Sequence, residues 1–213
     1  MKTKLSKKRA ISTVLTTVII LVSSVVLGSG VVLYGTSLFQ GGTQSESITV
    51  SGVKMWVHGT DSEGLAWGAA KVRNTGDKVV SVDKISVRGS EVPFSQWYAD
   101  STVDATTFQL ALNHTGWDGA AGGLVDDTTC TSTTNAHVEI GLSSEKQDAS
   151  SICATAATGP IGLTPGASAV IYFQLTNGTL TSLDSGAQTT VNIFAGKAGA
   201  PQSVTVTGIS TTG

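Results

Sequence analysis

Charge is scarce in this chain, and one long stretch has none. Asp, Glu, Lys and Arg make up 13% of the 213 residues, and residues 11–39 contain none of them and no His. As an α-helix rising about 1.5 Å per residue, this stretch would be roughly 44 Å long, enough to cross a hydrocarbon core of about 30 Å. The sequence therefore predicts a hydrophobic helix that crosses a membrane or packs among other helices.

Sequence motifs of common enzymes and metal sites are also absent from this chain. The chain lacks G-x-S-x-G, H-E-x-x-H and P-loop motifs. Acidic residues in a Gly-rich loop could ligate calcium, but they lack EF-hand spacing and a solvated loop is favoured. These residues are Asp118, Asp126 and Asp127. The three histidines have no metal-ligand spacing: His58, His114 and His137. We expect no enzymatic activity, no cofactor and no metal site.

The basic residues are concentrated before the apolar stretch. Five of the 13 Lys and Arg residues lie in residues 1–10, whereas all 15 acidic residues follow residue 39. Basic residues beside a span stay on the cytoplasmic side, so the remainder of the chain is expected outside. An acidic external domain does not predict nucleic acid as a partner, because nucleic-acid affinity depends on Lys and Arg.

Cysteine is nearly absent, with two residues, Cys130 and Cys153. In an oxidising compartment they would most simply form a disulfide, worth roughly 3 kcal/mol for a loop of this size, and a free buried pair is the alternative. Two N-x-[ST] sequons, at Asn113 and Asn177, predict N-glycosylation on an external surface.

Alternating apolar residues after a Gly, Thr, Gln and Ser-rich hinge at 40–47 predict an all-β domain over residues 48–213. About eight strands separated by Gly, Pro, Asn and Asp are typical of a Greek-key, Ig-like β-sandwich. The expected strands are 48–57, 66–74, 79–87, 107–112, 137–142, 167–176, 189–195 and 203–208. The fold class is thus a long N-terminal α-helix followed by an Ig-like sandwich.

Small and hydroxylic residues are frequent within the apolar stretch, for example Ser23, Ser24, Gly28, Ser29 and Gly30. Small residues let helix backbones approach closely, which favours assembly with other helices. The alternative is a plain membrane anchor whose hydroxyls bond back to their own helix.

The junction Lys7-Lys8-Arg9-Ala10/Ile11-Ser12-Thr13-Val14 resembles the class III signal of archaeal type IV pilins. Two further stretches are similar to motifs of archaeal pilin-like β-domains. Residues 71–87 contain a V-x-N-x-G pattern followed by alternating apolar residues, and residues 163–171 contain L-x-P-G-x-S.

This resemblance implies a processed subunit of an extracellular filament. A prepilin peptidase would cut after Ala10, within the processing site Lys8, Arg9, Ala10 and Ile11. Residues 1–10 would be the leader, and residues 11–39 would leave the membrane and, with the assembly machinery, form a homo-oligomeric helical filament. The filament core would include Val14, Val18, Leu21, Val22, Val25 and Val26.

Two differences from related filament proteins help to distinguish a pilus from an archaellum. Leu15 stands nearest to the position where bacterial pilins carry Glu, and the charge-free helix differs from typical archaellins. An adhesive pilus is therefore favoured over an archaellum, the motility filament. A monomeric signal-anchored cell-surface binding domain, which would keep its leader, is the competing class.

Overall fold

The computed structural model describes residues 4–42, 46–60, 64–114, 116–118, 123–124, 137–141 and 151–210. The chain divides into two compact units, Met1–Ser45 and Glu46–Gly213. The first unit contains a long helix and the second contains the β-strands. The predicted fold class, a helix followed by a β-sandwich, is confirmed.

Helix α1 extends from Lys4 to Gly42 and has 39 residues. It begins inside the predicted leader, because the Lys, Arg, Leu and Ala residues there are good helix formers. It ends at a Gly pair, where backbone freedom disfavours further helix. Residues 40–42 of the predicted hinge are therefore helical.

The second unit contains thirteen described strands and one short helix, α2, at Ala105–Gln109. The strands are β1 Ile48–His58, β2 Ala66–Asn74, β3 Val80–Val87, β4 Ser90–Glu91, β5 Trp97–Asp100, β6 Trp117–Asp118, β7 Gly123–Leu124, β8 His137–Gly141, β9 Ser151–Ala156, β10 Ile161–Leu163, β11 Ser168–Gln174, β12 Gln188–Ala195 and β13 Ala198–Ile209.

The strands form two facing sheets that share β13. Sheet 1 has the order β13-β1-β2-β11-β5-β9-β8, and sheet 2 has the order β10-β3-β12-β13, with β4 beside β3. Residues 198–205 of β13 pair antiparallel with β12, whereas residues 206–209 pair parallel with β1, with Met55 opposite Val206. A strand that passes from one sheet to the other closes one corner of a sandwich.

The main core fills the space between the two sheets. It takes alternate residues of strands in both sheets, as the two-residue period of a strand requires. Its fully buried members include Met55, Phe173, Ile85, Ile193 and Leu163. At Gly52, with φ of 60°, the register of β1 on β2 shifts, as in a β-bulge.

A second core covers the opposite face of sheet 1. Trp56 and Trp67 lie opposite each other on β1 and β2, and Tyr172 stacks on Trp56 with ring centroids 6.2 Å apart. Residues 103–114 and 116–117 cover these rings, with Leu112 and Trp117 buried. Sheet 1 is therefore buried on both faces, which explains why β2 exposes only Arg73.

Three sequence expectations change in the structure. The main path through the paired strands has ten members, not eight, because several strands are too short to show periodicity. Residues 105–109 form α2 instead of part of a strand at 107–112, since Asp104 accepts a hydrogen bond from the Thr107 N–H and begins a helix. Cys153 lies in β9, a strand that the expected list lacks.

Candidate functional site

Helix α1 is apolar on every side. Its segment Ser12–Leu38 has a mean hydropathy of 2.3, and none of it is buried against the rest of the chain. The predicted core residues Val14, Val18, Leu21, Val22, Val25 and Val26 are all more than half exposed. A helix that is hydrophobic all round requires a membrane or other protein around it. By length and composition, α1 can span a membrane.

Five hydroxyl groups in α1 donate hydrogen bonds to backbone carbonyls of the same helix. Thr16 and Thr17 donate to the carbonyls of Ser12 and Val14 at 2.9 and 2.8 Å. The same kind of bond is made by Ser24, Ser29 and Thr36. These bonds remove the cost of placing hydroxyls in lipid, so the hydroxyls suit both an anchor and a helix–helix contact.

The predicted processing site lies within α1. The backbone from Lys8 through Ile11 is helical, whereas the side chains of these four residues lie outside the described set. The structure therefore places the bond between Ala10 and Ile11 near the start of the helix and does not test cleavage.

The first described residues of the β-domain, Glu46 and Ser47, are hydrogen-bonded to the rest of the domain. The Ser47 carbonyl accepts hydrogen bonds from the N–H groups of Thr75 and Gly76 at 3.0 and 3.1 Å. The Glu46 carboxylate accepts one from the N–H of Lys197 at 3.3 Å. The chain thus enters the domain at the edge formed by the β2–β3 turn and the β12–β13 hairpin.

Asn74 joins the two motifs that resemble pilin-like sequences. Its side-chain amide donates to the carbonyls of Leu163 and Lys78 at 2.9 and 2.7 Å, and its Oδ1 accepts from the Gly76 N–H. Its backbone also bonds with Gly166 and Ala167. The V-x-N-x-G turn and the L-x-P-G-x-S turn are therefore one hydrogen-bonded unit.

Both sequon asparagines are exposed. Asn177 lies in the turn closed by the Thr179 N–H and the Thr176 carbonyl at 3.0 Å. The next residue, Gly178, donates to the Gly64 carbonyl in the connection that follows β1. Because β1 has 11 residues, roughly 30 Å separates this turn from the Ser47 entry point.

The second sequon lies on the cover of sheet 1. The Asn113 carbonyl accepts a hydrogen bond from the Tyr172 hydroxyl at 2.9 Å. This bond holds the Asn113 backbone on the domain surface. The acceptor asparagines thus face solvent at two separate places.

Of the two cysteines, Cys153 belongs to the described residues. Cys153 lies in β9, where its N–H donates to the Asp100 carboxylate at 3.2 Å. Cys130 lies outside the described residues, so the disulfide between Cys130 and Cys153 stays a prediction.

The Trp117 ring contacts two histidine rings, of which that of His114 is buried. The Trp117 ring lies 4.4 Å from the His114 ring and 5.1 Å from the His58 ring, centroid to centroid. The Trp117 indole N–H donates to the Ile209 carbonyl at 2.8 Å. Burial, helped by positive charge on His58, lowers the pKa of His114 to about 4.

All four tryptophans of the chain are buried and pack in the cores of the β-domain.

A groove of about 520 Å³ lies between the end of sheet 1 and α2. The polar and aromatic residues along it are Arg73, Ser101, Asp104, Phe108, Gln109 and Ser168. Sequence analysis did not identify these residues as a site, because they come from three separate segments. The Asp104-x-x-Thr107 capping pattern is the local signal that could have shown the helix.

Among the described residues, no three His, Cys, Asp or Glu side chains are grouped closely enough to hold a metal ion. No family model matches the chain, and no curated protein is significantly similar to it.

Proposed function

We propose that this chain is the structural subunit of an extracellular type IV pilus filament of the archaeal kind, used for surface adhesion. Copies of α1 form the filament core after cleavage behind Ala10, and the β-domains form the outer surface. The proposal is carried by the segment Ser12–Leu38, which has no charged residue and whose side chains are exposed in the described part of the chain. Such a helix is stable in lipid before assembly and among other copies afterwards.

The domain supports an outward-facing role. The entry point at Ser47 and the exposed Asn177 lie at opposite ends of β1. A domain attached through Ser47 to a helical core would thus present Asn177 to solvent. Both asparagines suit glycosylation there, because an acceptor must be accessible.

Assembly can be tested with a substitution that keeps α1 apolar. Nothing lies within 4 Å of a Cβ placed at Gly28, so Gly28→Leu costs nothing within one chain. It should block the close approach of neighbouring helices and strongly reduce filaments seen by electron microscopy. Val31→Leu adds bulk to the same helix without replacing a small residue, so it should leave filaments unchanged.

A charged substitution gives an independent test of the same helix. Val22→Asp should abolish filaments, because a buried carboxylate among apolar helices has no partner. Val79→Asp, at an equally exposed position of the β-domain, should not. Normal filaments from both Gly28→Leu and Val22→Asp would refute the core assignment.

Processing gives a second measurement. Intact mass of the purified filament protein should correspond to a chain that begins at Ile11. Ile11 preceded by an intact leader in assembled filaments would contradict the processing step.

The second candidate is a monomeric membrane-anchored surface protein. This alternative is favoured by the hydroxyl groups of α1 that bond to their own helix, because such bonds lower the free-energy cost of placing a single helix in lipid. In that case Gly28→Leu would leave the protein in the membrane fraction, unassembled and with its leader attached, as in the wild type.

A further inference from the structure

The groove between sheet 1 and α2 has the composition of a small-molecule site. Its volume of about 520 Å³ is within the range of roughly 300–1,000 Å³ usual for such sites. Val103, Ala105, Phe108 and Ala167 provide an apolar lining, and five polar side chains border it. Its position on the β-domain makes it independent of α1.

Two charged groups border the groove, and they have opposite sign. Arg73 is the exposed residue of β2, and within the described chain its guanidinium forms no ion pair. Arg73 lies directly opposite Ser168 in the β2–β11 pair, so both side chains are on the same face of sheet 1. Together they present hydrogen-bond donors on one wall.

The other wall presents a fixed carboxylate. Asp104 Oδ1 accepts a hydrogen bond from the Thr107 N–H at 2.6 Å, which sets the orientation of the carboxyl group. The carboxylate also accepts from the Thr107 hydroxyl and the Thr106 N–H. Because its two oxygens have about four acceptor positions, it can still accept a further hydrogen bond from a ligand. Arg73 and Asp104 thus supply a donor and an acceptor without a net charge.

The Phe108 ring contacts the side chain of Lys71 on sheet 1. The ammonium of Lys71 lies 5.6 Å from the centroid of the Phe108 ring and donates to the Leu110 carbonyl. Lys71 is buried, so this contact fixes α2 on sheet 1. The groove is consequently a preformed site with a positioned aromatic ring.

We propose that this groove binds a neutral saccharide, which would make it the adhesive site of the filament. Sugar hydroxyls can accept from Arg73 and donate to Asp104, whereas an anion or a cation would meet one group of its own sign. The C–H face of a sugar ring suits contact with Phe108. The inference deepens the proposed adhesive function and rests on it.

Binding can be measured on the full chain in detergent, which needs no filament assembly. An array of neutral and acidic oligosaccharides identifies a ligand, and titration calorimetry gives its Kd. Arg73→Ala and Asp104→Asn should each weaken binding by about tenfold or more, since a hydrogen bond to a charged group is lost. Asn at this position still caps α2, so the fold is retained.

Matched substitutions outside the groove serve as controls. Lys54→Ala and Asp83→Asn alter exposed residues of β1 and β3 and should leave the Kd unchanged. Binding of no neutral saccharide, binding of only acidic sugars or amino acids, or equal Kd values for Arg73→Ala and the wild type would overturn the proposal. Filaments that assemble normally but bind no saccharide would refute this site alone, whereas a wild-type chain that forms no filaments would refute the proposed filament function.

Discussion

The side-chain amide of Asn74 donates a hydrogen bond to the Leu163 carbonyl at 2.9 Å, across a sequence separation of 89 residues. The same amide donates to the Lys78 carbonyl, and the Asn74 side chain is fully buried. One residue thus connects the β2–β3 turn to the strand that begins the L-x-P-G-x-S turn. Both turns lie beside Ser47, where tension from α1 would reach the domain.

Asn74→Ala should therefore destabilise the β-domain by about 3 kcal/mol, because two carbonyls and one N–H lose their partner in a buried place. Urea unfolding followed by tryptophan fluorescence measures this, since all four tryptophans are buried in the domain. Asn177→Ala, at an exposed turn, should change the free energy of unfolding by less than about 0.5 kcal/mol. Equal effects of the two substitutions would contradict the assigned role of Asn74.

Gly68 of β2 lies between Met55 of β1 and Phe173 of β11 in sheet 1, and the side chains of both occupy the space above it. A Cβ there would lie 2.6 Å from Met55 Sδ and still closer to the ring of Phe173. Gly68→Ala should cost about 2 kcal/mol or more, as overpacking of a filled core does. Gly162→Ala, where no atom lies within 4 Å, should be nearly neutral in the same unfolding measurement. A neutral Gly68→Ala would mean that the side chains of Met55 and Phe173 leave room for a methyl group above Gly68.

His114 should make domain stability depend on pH. Burial and the positive charge of His58 lower its pKa from 6.5 to about 4, so the folded domain binds the proton less well than the unfolded chain. Its contribution to stability is complete above pH 6.5, decreases as the pH falls, and is lost by about pH 4. The whole shift corresponds to about 3 kcal/mol.

The measurement is the urea midpoint of the wild type and of His114→Gln between pH 7 and pH 4.5. The wild-type midpoint should fall more steeply with decreasing pH. His58→Gln serves as a second variant, and it should raise the pKa of His114 because it removes a like charge. Parallel pH profiles for the wild type and His114→Gln would exclude this role.

Asp184 should contribute at a lower pH. It accepts hydrogen bonds from the Thr181 N–H and hydroxyl, and its other oxygen lies 2.7 Å from the Arg88 guanidinium. The Thr181 bond first, with Arg88 adding to it, lowers the pKa of Asp184 below 3.8, so its contribution is complete above that pH and is lost on further acidification. Asp184→Ala should cost about 1 kcal/mol at pH 7. Lys84→Ala, which removes an exposed ion pair with Glu91, should cost less.

Local patterns predicted the elements that local forces determine. The uncharged residues 11–39 predicted helix α1, which extends beyond them to Lys4 and Gly42, and the predicted strand 66–74 has the same bounds as β2. By contrast, residues 107–112 predict a strand because Thr and Phe are strand formers, whereas the Asp104 cap begins a helix there. Strands β5, β9 and β10 are short and pair with distant strands, so they carry little local periodicity.

The amino-acid sequence alone determined that an uncharged helix precedes an all-β domain, since charge, hydropathy and strand alternation are properties of neighbouring residues. Only the tertiary structure decided which distant residues meet: Asn74 with Leu163, His114 with Trp117, and Arg73 with the groove beside Asp104. Those contacts depend on strand order and on the residues that cover sheet 1. Pairing across many residues is decided by the packing of the whole domain, which no short stretch of sequence specifies.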